Sequence, residues 1–584
     1  LKRINHEESD CCICFIDVEQ REVRVDRSHD PRDDRVMPAD FVFTNASVFL
    51  PSGSAPADTV AVVDGRIAAL SRGVDRELVS TATEVVDLGG ASLLPGFIDA
   101  HVHPVAAGMQ ALRCDLSMLP HDRSAYRAAI AEYAASHAQE SVIAGSGWYG
   151  DAFAGGFPAA TDIDDVVADR PVVLSSHDGH GVWVNSLALT LAGVDRETPD
   201  PAGGRIVRDG DGVPTGMLFE SAAEPLNRLI PEVTPAFLRR ALLEAQRRLH
   251  AVGVTAWHDA GVGIPAFGLT DILATYLDAD AAGELTARVV GALWWTAATG
   301  LGQLDELLAR RAAAGISRFT ATTVKVMQDG ICENCTAAML APYRGTPDTL
   351  TGMSFIDPAE LSEITTRLAA ERFQIHMHAV GDRAVRECLD ALQAAIRANP
   401  DFDGRHQIAH LDVVDPADID RFAELGVIAN IQALWARRDR EIVERKLPLL
   451  GPEREPWHFP FGSLHRSGAR LAMGSDWPVT DPDPLWAVHT AVHRTGTRAD
   501  PHAIGEGVFD VPLQGQEAID LRTALEAYTA GSAYANHDED RGTIAVGGHA
   551  DLVALDGDVF AAEDIGNLNV EMTMVAGRVV HRVP

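Results

Sequence analysis

The sequence predicts an α/β protein: a (β/α)8 TIM barrel with an inserted subdomain, and a small β-sandwich built from both chain ends. Three observations predict it. Eight short apolar runs alternate with amphipathic stretches through the middle of the chain, as parallel strands with crossover helices should. Strand-like segments punctuated by glycine turns lie at both ends. About 150 residues separate the first apolar run from the second, far more than one crossover helix uses.

Residues 1–36 are rich in charge and lack sustained apolar periodicity, so they are expected to be a disordered or extension segment, with Met37 as a natural start. Residues 37–91 are expected to form the N-terminal part of the sandwich. Residues 41–49 alternate like a strand, and residues 59–70 read as two strands joined by an Asp64-Gly65 turn. The barrel is expected over residues 92–535, opening with an apolar strand inside residues 93–104. Its insert, about residues 105–235, should sit over the barrel mouth, where loops shape substrate specificity. Further strands are expected at 253–259, 287–293, 321–326, 373–378, 406–410, 427–432 and 471–476. Phe237, Leu238, Ala241, Leu242, Ala245 and Leu249 recur at helical spacing just before the second of the eight. Residues 536–584, with strand-like stretches at 542–555 and 570–581, complete the sandwich.

The composition excludes several functions. With 584 residues, 46% of them apolar, the chain can bury a large core. A formal net charge of -35 repels phosphate backbones and anionic lipid, so neither nucleic acid nor a membrane surface is an expected partner. No run approaches the roughly 20 apolar residues of a membrane span, and the N-terminal residues do not read as a secretory signal; a cytoplasmic location is expected. Cys11, Cys12 and Cys14 crowd the N-terminus and the other four cysteines are scattered, which is no disulfide framework. The expected partner is a small-molecule substrate, and a homo-oligomer is compatible with all of this.

The chemistry is concentrated at strand ends. In Phe97-Ile98-Asp99-Ala100-His101-Val102-His103-Pro104, residues i and i+2 of a strand point to one face, so His101 and His103 can grip one ion. Four later strands end in a ligand or base: Lys325, His378, His410 and Asp476, in that order. His376 shares a strand face with His378, and its spacing also permits ligation. Cys332-Glu333-Asn334-Cys335 imitates half of a zinc site but has no second half nearby in sequence. Asp476 could instead cap a following helix, with Pro478 in its first turn.

These residues, with Asp178-Gly179-His180, Pro214-Thr215-Gly216-Met217 and His378-Ala379-Val380-Gly381-Asp382, resemble the metal-dependent amidohydrolase superfamily. The surrounding motifs resemble its amidohydrolase-3 branch, the N-substituted formamide deformylase-like proteins. The resemblance implies one or two divalent ions, zinc foremost, held by His101 and His103 on one side and His378 and His410 on the other. It further implies that Asp476 contacts metal and moves protons, and that Lys325 is carboxylated, since a carbamate bridges cations that an ammonium repels. The reaction implied is hydrolysis of a non-peptide, amide-type C–N bond by a metal-activated hydroxide. His180 is the candidate for polarising the substrate carbonyl, and Trp148, Tyr149 and Trp183 are candidates for lining the substrate pocket, with core packing as the alternative. A superfamily deaminase, an ester or lactone hydrolase and a non-catalytic scaffold are the alternatives. Deaminases of the superfamily generally carry Glu three residues after the fifth-strand His, where this chain has Gly381 and then Asp382.

Overall fold

The computed structural model describes residues 37–584 except 154–155, 178–180, 202–203, 265–268, 270, 316 and 348. Its centre is a sheet of eight parallel strands in sequential order: β1 Phe97–Val102, β2 Val254–Val262, β3 Arg288–Trp294, β4 Phe319–Met327, β5 Gln374–Ala379, β6 Gln407–His410, β7 Ile428–Ile431 and β8 Leu471–Met473. Helices cover its outer face, so both faces are buried, and the strands read as near-continuous apolar runs for that reason. The loop after β8 returns to β1: Asp476 N–H donates to His101 O at 2.7 Å and His103 N–H to Trp477 O at 2.9 Å. Asp99 strengthens the seam by accepting from the backbone N–H and hydroxyl of Ser475.

The crossover helices follow the sequence pattern. Pro235–Ala251 begins where the Thr234 hydroxyl accepts from Phe237 N–H and Pro235 occupies the first turn, and it buries Ala241, Leu242, Ala245 and Leu249. Its last turn delivers the chain into β2 through Gly253 at φ 85°.

The insert is built on a second, six-stranded sheet whose strands run from Cys114–Asp115 to Pro214–Glu220, with helices Arg123–Ser136 and Ser186–Ala192 packed on it. The sandwich pairs a four-stranded sheet drawn from residues 41–87 with a five-stranded sheet that mixes both chain ends. Phe43, Val60, Val62 and Leu93 meet Leu552, Met572 and Met574 in its core. The Asp64-Gly65 turn has φ of 48° and 73°, the left-handed pair that joins strands tightly.

Three expectations at the ends are corrected. Residues 41–49 are not one strand: Asn45 sits at φ 53° and hands the chain from one sheet, Phe41–Thr44, to the other, Ser47–Val48. Residues 542–551 are turns, with a strand only at Leu552–Leu555. The apolar run from residue 93 also divides, because Ser92–Pro95 pairs with Leu552–Leu555 in the sandwich and only Phe97–Val102 enters the barrel. The changeover lies at Gly96, not between 91 and 92. A Cβ there would stand 2.3 Å from Thr255 Oγ1 and 2.8 Å from Thr255 Cβ on β2, so no side chain fits. Gly96→Ala is expected to cost about 1–3 kcal/mol by overpacking this junction, read as a lowered thermal midpoint; an unchanged midpoint would show that the junction yields.

Among the described residues no helix is long and apolar enough to cross a membrane.

Candidate metal centre

The C-terminal ends of β1, β4, β5, β6 and β8 converge on one buried point. Asp476 Oδ1 lies 3.1 Å from His103 Nε2 and 3.4 Å from His101 Nε2, and its Oδ2 lies 4.0 Å from His410 Nδ1. Lys325 Nζ approaches the same His101 Nε2 at 3.4 Å. The His101 and His410 rings are 4.8 Å apart, and those of His378 and His410 4.4 Å. His101, His103 and Asp476 can each offer a ligand atom, all within 4.8 Å of one another. His378 stands beside this triad, with Nε2 turned toward Gly330 O at 3.3 Å.

Local backbone explains how these groups are presented. Val102 ends β1 and His103 turns out of the strand to begin helix Pro104–Ala111, which places both imidazoles at the mouth. His410 and Asp476 adopt left-handed backbone, φ 80° and 58°, a costly conformation that recurs at functional sites. Asp476 caps no helix: helix Pro484–His493 is capped by Asp483, whose carboxylate accepts from Leu485 N–H. Its side chain is therefore free to face the histidines.

The electrostatics suit a cation. Burial holds the imidazoles of His101 and His410 neutral, well below the ordinary histidine range, and brings His378 down to about 3. Burial also lowers Lys325 to about 7, so near neutral pH its amine is substantially uncharged. For Asp476 burial acts upward, but the hydrogen bond and electrostatic pull of His103 lead the effects that outweigh it and hold the carboxylate below its ordinary range. Neutral imidazoles and an ionised carboxylate are the donors that a zinc-like divalent ion takes. The buried His410 Nδ1 has no hydrogen-bond partner, and a bound cation would satisfy it. The residues fit a divalent metal.

The model of the amidohydrolase family matches residues 84–581, most of the chain. The chain belongs to that family, in its amidohydrolase-3 branch. It is 33% identical over 527 residues to Protein LONG AFTER FAR-RED 3 of Arabidopsis thaliana, covering 88% of this chain and 87% of the relative. It is 27% identical to the N-substituted formamide deformylase of Arthrobacter pascens, covering 92% and 97%. A solved structure of an uncharacterized metal-dependent hydrolase from Pyrococcus horikoshii shares the fold with a TM-score of 0.69 at 24% identity, covering 90% of this chain and 99% of that one.

Other residues singled out in this amidohydrolase sequence lie elsewhere. His180 falls outside the described residues. Trp148 and Trp183 are core, not pocket: each is at most 2% exposed, their indoles donate to Leu174 O and Ala159 O, and with Phe153 they fill the insert's interior. A large ring that has found its polar partner inside a sheet has no reason to face a ligand. Tyr149 does face a cavity, shared with Met118, Leu434, Arg437, Trp477 and Thr480, and Trp477 is the residue after Asp476. Its ring stacks between His121 and His177 at 4.0 and 3.9 Å. Cys332 and Cys335 form no disulfide.

Two carboxylates escaped the sequence reading. Asp99 accepts from His101 N–H as well as Ser475 and locks the histidine strand to the β8 loop. Asp329 accepts from Ala338, Val380 and Gly381 N–H and pins the loop after β4 to the end of β5. Their only sequence signal is an acid next to an apolar run that ends in a ligand.

Proposed function

We propose that this chain hydrolyses an amide-type C–N bond, other than a peptide bond, in a small molecule. His101, His103, Lys325, His378, His410 and Asp476 would hold one or two divalent ions, zinc foremost, with Lys325 carboxylated. The observation that carries the proposal is an ionised carboxylate, Asp476, set among buried imidazoles at the mouth of the barrel, of which burial holds His101 and His410 neutral. A divalent ion there lowers the pKa of water and polarises a carbonyl.

The chain's own residues do the rest. Asp476 takes the proton of the attacking water and returns it to the departing nitrogen, as a positioned carboxylate does in general acid–base catalysis. The residues of the centre are themselves buried, from His101 at 1% exposed to His103 at 9%, and such a dry setting strengthens every charge inside. The cavity lined by Tyr149, Met118 and Trp477 receives the group attached to the amide. The relative named N-substituted formamide deformylase makes substituted formamides the first substrates to try.

The test pairs metal analysis with a substrate screen. Purified protein is expected to contain stoichiometric divalent metal, to lose hydrolysis of N-substituted formamides or acyl amino acids on chelation, and to regain it with zinc. Turnover of lactones alone would move the reading to ester hydrolysis. Protein that binds no divalent metal and hydrolyses none of these would overturn it.

A further inference from the structure

The cavity that Tyr149 faces is short of a cation. Its walls carry two carboxylates, Asp481 and Asp500, and one guanidinium, Arg437. Arg437 is already shared between two acids: Nη1 donates to Asp500, and Nε donates to Asp439 at 2.8 Å. His502, on the same wall, brings no positive charge, because burial draws its imidazole down to about 4 and leaves it neutral near neutral pH. Asp481 has the N–H of Asp483, which donates to its Oδ1 at 2.9 Å, and among the described residues it makes no ion pair. We propose that Asp481 is the specificity-determining residue of a subsite for a protonated amine, so that the substrate is a small amide whose nitrogen carries a short aminoalkyl arm.

The subsite adjoins the residues that would act on the amide. Trp477, on the cavity wall, follows Asp476 in the chain. Leu434, on the wall as well, precedes Trp435, whose ring lies parallel to that of His410 with centroids 5.4 Å apart. The chain between Asp476 and Asp481 is folded into a tight turn, in which Val479 N–H donates to Asp476 O at 2.8 Å and the Thr480 hydroxyl to Ser475 O at 2.6 Å. Asp481 is thereby held just beyond the turn that Asp476 begins. Size then limits the arm. The cavity offers about 40 Å³, more than the roughly 10–15 Å³ that one water needs and far less than the roughly 150 Å³ of a cavity that takes benzene. A chain of a few atoms fits there, and a ring does not.

Charge selects what ends that chain. A carboxylate would meet Asp481 and Asp500 with no free cation to receive it, and a methyl group would leave Asp481 unpaired in a confined space. An ammonium supplies the missing charge and donates to the carboxylate, a charge-assisted bond of the stronger kind. The same shortage shows on Asp481 itself, whose carboxyl is pushed up to about 8 by burial and by Asp483 and Asp500.

The substrate class rests on the amide-hydrolase reading; the amine subsite does not. N-(2-aminoethyl)formamide and N-propylformamide have the same length and differ in ending on an ammonium or a methyl group. With zinc-loaded protein near neutral pH, kcat/KM for the first is expected to exceed that for the second about tenfold to a hundredfold, mainly through KM. Asp481→Asn keeps an oxygen for Asp483 N–H and is expected to remove most of that preference. Equal kcat/KM for the two amides in the wild type, or a preference that survives Asp481→Asn, would overturn the subsite and leave the hydrolase reading standing. Cleavage of neither amide would count against that reading instead, and calorimetric binding of the same pair to the zinc-loaded protein then decides the subsite. Tighter binding of the aminoethyl compound that is lost in Asp481→Asn supports it; equal binding, or none of either, removes it.

Discussion

Asp476→Asn is expected to lower turnover by about 10²- to 10⁴-fold while leaving a folded protein with near-normal metal content. The substitution suits the backbone, because Asn is among the few side chains that tolerate the left-handed region, and residue 476 sits at φ 58°. Its N–H would still donate to His101 O and keep the barrel seam closed. The amide oxygen can replace Oδ1 beside His103, where the carboxylate now lies at 3.1 Å, so the histidines keep a polar neighbour. What the amide cannot do is accept a proton from water and hand it on. Metal content and kcat are therefore expected to separate, and a variant with wild-type kcat would remove Asp476 from the proton path. If metal is lost together with activity, the carboxylate serves binding first.

The barrel was legible because a parallel sheet buried on both faces writes itself as apolar runs; β3, in which Val289 to Leu293 are all apolar and all buried, is the plainest case. His101, His103, Lys325, His378, His410 and Asp476 were legible because each follows or ends such a run, in an order that a closed barrel brings to one rim. Continuity of the same pattern hid the break at Gly96, since Ser92–Pro95 and Phe97–Val102 are equally apolar and only the contact with Thr255 separates them. Asp99 and Asp329 were hidden because their work is done on backbone N–H groups far away in sequence, Ser475 being 376 residues from Asp99. Trp148 and Trp183 were ambiguous because an aromatic residue in an insert suits a pocket and a core alike. The capping alternative for Asp476 is settled by backbone geometry that no spacing rule reports.

Lys325→Met is expected to abolish turnover and, in the metal-free protein, to raise stability. The lysine is 2% exposed and its pKa falls to about 7 because burial penalises the ammonium. The folded-state pKa therefore lies below that of the unfolded chain, and the folded state binds fewer protons wherever the pH falls between the two. The penalty is fully present below about pH 7, shrinks as pH rises through the interval, and is gone near the ordinary lysine pKa of about 10.4. From the size of that interval the penalty at pH 6 is on the order of 4 kcal/mol. Methionine has a similar length, no charge and enough flexibility to fill the space, so its advantage in thermal midpoint should be largest near pH 6 and fade toward pH 10. A midpoint difference that does not vary with pH would mean that the ammonium is not what strains the site. The same displaced pKa gives a reason for keeping a costly residue there. An amine that is uncharged near neutrality can attack carbon dioxide, lose one proton to water and become a carbamate, exchanging a group that repels a cation for one that binds it. Metal reconstitution in carbon dioxide-free buffer should then give less active protein than reconstitution with bicarbonate, and equal activity from the two would leave Lys325 an unmodified amine.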